Sequence, residues 1–143
     1  MTSKQYLNQY WRLTERIRQI DSDIAAIEAE IGGRHDPDGP RGTDVSDPTA
    51  RLAVRLAALR QDLERIREEA WSKRIEISRI IDGVEDKTLS QLLYDRYILC
   101  MRWDDVADDI HYEPSYVRTR LHSRALDSAS LCIKIHQNTS KHM

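Results

Sequence analysis

Residues 89–126, LSQLLYDRYILCMRWDDVADDIHYEPSYVRTRLHSRAL, decide how the rest of the chain is read. Three short apolar-periodic segments lie here, broken at Cys100–Arg102 and again at His111–Pro114, which is the pattern of three helices with the last two joined by a tight turn. The middle helix places Val106, Ala107 and Ile110 on one stripe, the i, i+3/i+4 spacing of a helix resting on a core. The last helix, Pro114–Ala129, buries Val117, Leu121, Ala125 and Ser128. Ser115, Tyr116, Thr119, Arg120 and Ser123 then point the other way, with Arg118 and Arg124 beside them. An apolar back and a front of hydroxyls, an aromatic ring and guanidiniums is the physical type of helix that enters a DNA major groove.

Working outward, Asp86 is a helix cap and Lys87–Cys100 a helix whose Leu92, Leu93 and Tyr97 complete a three-helix core, with Trp103 over its edge. The expected domain is 84–130, a helix-turn-helix. The tail, 131–143, reads two ways. The alternation in Leu131-Cys132-Ile133-Lys134-Ile135-His136 suggests a short strand, whereas continuing the last helix puts Leu131 and Ile135 on one stripe. Residues 137–143 read as a frayed end.

Towards the N-terminus, Tyr6, Tyr10, Leu13, Ile17, Ile20, Ile24, Ile27 and Ile31 alternate by four and three, the seam of a coiled coil. Thr2 or Ser3 caps this helix and Gly32-Gly33 ends it. Residues 32–47, rich in Gly, Pro and Asp, read as a flexible loop. Asp47-Pro48 is a start signal, an N-cap followed by proline at the first helical position. The helix it opens runs to about Asp82, with Leu52, Leu56, Leu59, Leu63, Ile66, Ala70, Ile77 and Ile80 on a stripe that Lys73 interrupts and Gly83 closes. The expected fold is therefore all-α, an antiparallel coiled-coil-like hairpin over 1–83 followed by the three-helix domain. Two long thin seams are hard to bury against each other alone. This favours a homo-oligomer, a dimer or tetramer, through Leu13, Ile17, Ile20, Ile24, Ile27, Leu52, Leu56, Leu59, Leu63 and Ile66. An intramolecular hairpin with no partner, or helices without supercoiling, are the alternatives.

Composition narrows the function. The 143 residues are 32% charged with only five Gly and four Pro, a bias towards helices, and the net charge of −2 announces no nucleic-acid partner. Distribution says more than the sum. Three basic and seven acidic side chains fall in 83–110, against five basic and two acidic in 111–143, so the positive surplus sits on the last helix and tail. Asp104, Asp105, Asp108 and Asp109 read as a solvated acidic face suited to a basic protein partner. Cys100 and Cys132 have no CxxC spacing, and His35, His111, His122, His136 and His142 have no metal-ligand spacing with them. No cofactor, metal, nucleophile elbow or phosphate loop is expected, and the chain reads as a non-enzyme. No apolar run suits a membrane helix and the N-terminus lacks a signal-peptide pattern, so a soluble cytoplasmic protein is expected.

The string from Leu92 to Leu126 resembles region 4 of bacterial sigma factors. The whole chain resembles phage and prophage late-gene transcription regulators of the ArpU and RinA type, on Lys4, Tyr6, Leu7 and Gln9, on Ser46-Asp47-Pro48, and on Leu93, Arg96, Tyr97, Trp103, Val106, Ala107, Arg120, Leu121, His122, Arg124, Ala125 and Leu126. The resemblance implies double-stranded DNA as partner, transcription regulation in the bacterial host cell, and contact with bacterial RNA polymerase. The sequence departs from that pattern twice: His111 stands where the turn commonly has Gly, and Val117 and Leu121 are four apart rather than three. Two other functions share these features, the small subunit of a phage DNA-packaging terminase and a polymerase-docking module that does not read DNA.

Overall fold

Asp47 sets the start of the longest helix: its carboxylate accepts the Thr49 amide at 3.0 Å, and Pro48, which has no amide hydrogen to satisfy, takes the first helical position. The computed structural model describes residues 1–33 and 47–141, and all secondary structure among them is helical, with no strand. The fold is all-α. The loop expected at 32–47 falls for the most part on 34–46, outside the described residues; Gly32 and Gly33 belong to the last turn of a helix. The chain divides into two compact units, residues 13–69 and residues 1–12 with 70–143.

The unit of residues 13–69 is made from parts of α2 (Gln9–Gly33) and α3 (Pro48–Asp82). Arg67 reaches Asp21 at 3.7 Å and Arg60 reaches Glu28 at 2.6 Å, so seven residues back along α3 match seven forward along α2 and the two run antiparallel. Ile20, Ile24, Leu63 and Ile66 are buried between them, with Leu13, Ile17, Leu56 and Leu59 packed around. The ion pairs are half exposed and contribute at most about 1 kcal/mol each. Burial of the four aliphatic side chains, at about 1.5–3 kcal/mol apiece, is the larger effect.

The other unit holds the main core. Here α1 (Ser3–Leu7) opens with a capping box on Thr2 and Gln5, and is set off from α2 by a turn at Asn8. One continuous helix was expected from Ser3 to Ile31. The break is stabilised by Gln9, whose side-chain amide donates to the Tyr6 carbonyl at 2.9 Å, and it frees Tyr6 and Leu7 to enter the core rather than a seam. Next come α4 (Lys87–Leu93), capped by Asp86 and running into a π turn at Tyr94–Ile98, then α5 (Trp103–Ile110). The last run is α6 (Pro114–Tyr116), a π turn at Val117–Leu121 and α7 (His122–Lys141). Leu92, Leu93, Tyr97, Val106, Ala107, Val117, Leu121 and Ala125 form one cluster, and Ile77, Ile80 and Ile81 of α3 join it. Ser128 is only half buried and Ala129 takes the core position instead.

The tail is helical, since α7 continues to Lys141; neither a strand at 131–136 nor fraying from 137 to 141 is found. Ile133 is the buried residue of that segment, while Leu131 and Ile135 stand 65% and 66% exposed. Gly83 closes α3 without a positive φ; a Cβ there would make tight contacts of 3.3 Å with Cys132 Sγ and with the Ile80 carbonyl. Glu76 ties three helices together. It accepts the Tyr6 hydroxyl at 2.6 Å and the Lys73 ammonium at 3.1 Å, with His136 Nε2 3.5 Å away. Burial pushes its carboxyl up, but Tyr6 and Lys73 outweigh that and hold it below the usual range.

Asp95, in the first π turn, is 1% exposed. One of its oxygens accepts the Gln91 amide at 2.7 Å and the other has no partner while ionised. Burial, together with Asp109 of α5, pushes its carboxyl from 3.8 up to about 6, and the protonated acid can share its proton with Asp109. A carboxyl raised on folding binds more protons in the folded state, so its contribution to stability falls as pH rises from about 4 through 6. His122 is shifted the other way by burial, down to about 4, so its contribution rises across 4–6.5. Comparing Asp95→Asn with wild type cancels the histidine. The variant is expected to gain roughly 1–3 kcal/mol on wild type between pH 5 and pH 8 in urea unfolding. A pH-independent difference would contradict this reading of Asp95.

Candidate functional site

The polypeptide from Pro114 to Lys141 is a single helical run whose core side is Val117, Leu121, Ala125, Ala129 and Ile133, every fourth residue. An α-helix turns about 100° per residue, so positions four apart drift by about 40° at each step. Over four steps that would carry Val117 round towards solvent. The π turn at Val117–Leu121, with its wider i→i+5 rings, takes out part of the drift and returns Val117 to the core at 0% exposure. The four-residue spacing of Val117 and Leu121 thus has a structural counterpart.

Three devices fix the direction of this helix. His111 caps α5 in the left-handed region, φ 62° and ψ 46°, donating its backbone N–H to the Ala107 carbonyl, a place where glycine is the usual residue. Glu113 caps α6 by accepting the Tyr116 amide at 3.0 Å, and Pro114 follows at the first turn. Behind the helix, His122 Nε2 and the Tyr97 hydroxyl share a hydrogen bond at 2.7 Å, and Trp103 meets the imidazole edge-on at 4.6 Å. Burial moves His122 down to about 4 and Tyr97 up to about 12, so both stay neutral near neutral pH. Arg96 lies 4.5 Å from the Trp103 ring and donates to the Met101 carbonyl at 2.8 Å, which locks the turn before α5.

All seven side chains expected at the front, Ser115, Tyr116, Arg118, Thr119, Arg120, Ser123 and Arg124, are exposed. The Thr119 hydroxyl donates to the Ser115 carbonyl at 2.7 Å, leaving its lone pairs outward. Among the described residues none of the three arginines is held in an ion pair. Arg124 stands apart from the rest, lining an open groove with Glu85, Asp86 and Asp127. Tyr112, which the helical pattern does not place on any face, belongs with the front. Its ring lies 6.0 Å from that of Tyr116, and both are nearly half exposed. The signal was present as the i, i+4 pair in Tyr-Glu-Pro-Ser-Tyr, hidden because Tyr112 falls in the turn.

The ten seam residues of the hairpin face inward within one chain. Ile20, Ile24, Ile27, Leu63 and Ile66 are buried, and Leu13, Ile17, Leu52, Leu56 and Leu59 are partly so. No group of three or more metal-ligating side chains occurs among the described residues, and no helix there is long and apolar enough to cross a membrane.

The chain belongs to the family described as Protein of unknown function (DUF1492), whose model matches residues 48–127. That span holds α3 to the first turns of α7, and so the whole exposed front. No curated protein and no solved structure matches the chain.

The left-handed residue gives a direct test of the turn. Removing a Cβ from such a position relieves about 1–2 kcal/mol of strain, partly offset by the greater freedom of glycine when unfolded. His111→Gly is expected to raise stability by about 0.5–1 kcal/mol, and His111→Val to lower it by at least as much, measured by thermal or urea unfolding.

Proposed function

We propose that the chain is a sequence-specific DNA-binding transcription regulator of phage genes, with the helix of residues 114–129 set in the major groove. The observation that carries this reading is the front of that helix. Tyr116, Arg118, Thr119, Arg120 and Ser123 are exposed on a run whose opposite side is pinned to the core, and among the described residues no ion pair holds the guanidiniums. Rigid backing matters because base readout needs side chains held within hydrogen-bond reach of base edges, whereas phosphate contacts tolerate looser placement. Ser115 and Thr119 are short hydrogen bonders, one arginine is suited to bidentate contact with guanine and the others to phosphates, and Tyr112 with Tyr116 offers an apolar surface to a thymine methyl. The local basic surplus of residues 111–143 supports the same reading against a net negative chain.

A second reading has its own support. Asp104, Asp105 and Asp108 are exposed on α5, where they would repel DNA and suit a basic surface on bacterial RNA polymerase. The two are compatible. Binding to polymerase that survives replacement of Tyr116, Arg118 and Arg120, with no DNA binding by the wild type, would favour docking alone.

Filter binding to duplex DNA from the surrounding phage genome, across a salt series, tests the first reading. Arg118→Ala and Arg120→Ala are each expected to weaken binding and to reduce the slope of log K against log salt by about one per lost phosphate contact. Absence of binding at low salt would overturn it.

A further inference from the structure

Of the large apolar side chains left in the open, Val54 and Trp71 lie on α3 and two others are neighbours on α7. Leu131 and Ile135 project from α7 one turn apart, 65% and 66% exposed. Beside them runs an open groove of about 640 Å³ between α7 and the α3–α4 junction, walled by Val84, Leu89 and Cys132. Two adjacent aliphatic side chains held outward on a well-packed helix, next to a groove able to receive such side chains, form a surface that water penalises.

We propose that a second copy of the chain covers this face, through a two-fold contact of α7 against α7. The charges around the face select that occupant. Asp127 and Lys134 are both exposed and both flank Leu131, and the rim adds Glu85, Asp86 and Arg124, so the patch carries both signs. A partner of one sign would meet repulsion on part of this rim. A copy related by a two-fold axis through Leu131 does not: its α7 runs antiparallel, residues equally far before and after Leu131 face each other, and Asp127 comes beside Lys134 of the copy, twice by symmetry. Leu131 meets its own counterpart, and each Ile135 is carried towards the groove of the other chain. The α7 contact does not depend on nucleic acid, and it is a different surface from the hairpin seam.

Sedimentation equilibrium of the full chain tests it. The wild type is expected at twice the 16.7 kDa chain mass at tens of micromolar, and Leu131→Glu with Ile135→Glu at the single mass with unchanged helical circular dichroism. Because those side chains are already solvated in the monomer, the double variant should fold. Asp127→Lys alone should raise the dissociation constant severalfold, and adding Lys134→Asp should restore it, a rescue that a purely structural role would not produce. A wild type that stays monomeric, or a dimer indifferent to both pairs of substitutions, overturns the inference. A monomer that still binds DNA would leave the proposed function standing, and a dimer that binds none would leave this inference standing.

Discussion

The packing of one helical run, residues 114–141, against the core is the constraint on which the rest depends. Its buried side is Val117, Leu121, Ala125, Ala129 and Ile133, none more than 6% exposed. Two of its neighbours are α1 and α4. The π turn lets a repeat of four stay on the core for five positions. Once that side is committed, the outward direction of Tyr116, Thr119, Arg120 and Ser123 follows from helical geometry. No separate interaction is needed to aim them.

Charge is divided between the two helices that meet at His111. The four aspartates of α5 include Asp104 and Asp105 in its first turn, where the helix dipole favours them, and Asp109 near its end, where it meets buried Asp95. Arg118, Arg120 and Arg124 lie beyond the turn. A chain with net charge −2 can therefore present a basic face, provided the acidic helix serves as a support and keeps its charges to its own side. The neutral His122–Tyr97 pair behind the front fits the same division, since a charged imidazole there would have to be desolvated among aromatic rings.

Much of this was legible in the sequence because it rests on local rules. The breaks at Cys100–Arg102 and His111–Pro114, the Asp47-Pro48 start, the Asp86 cap and the exposure of Ser115, Tyr116, Arg118, Thr119, Arg120, Ser123 and Arg124 all follow from caps, proline and periodicity. What escaped has non-local causes. The break at Asn8 is rewarded only when Tyr6 and Leu7 find the core and Tyr6 reaches Glu76, seventy residues away. The outward turn of Leu131 and Ile135 depends on Ile133 being the residue that meets the core, which alternation in the sequence cannot choose. Tyr112 is a turn residue, to which helical periodicity assigns no face. The seam residues read as apolar partners; within the chain Ile20 and Ile24 pack with Leu63 and Ile66, while Leu13, Ile17, Leu52, Leu56 and Leu59 stay partly exposed.

The proposed contact is between duplex DNA and the solvent side of the helix beginning at Pro114. Amide hydrogen exchange on the full chain, with and without a duplex chosen by selection from a random pool, reads that contact most directly. Protection concentrated in residues 112–124, with α5 and the hairpin unchanged, is the predicted result. Protection confined to α5, or no change on adding DNA at low salt, would contradict it.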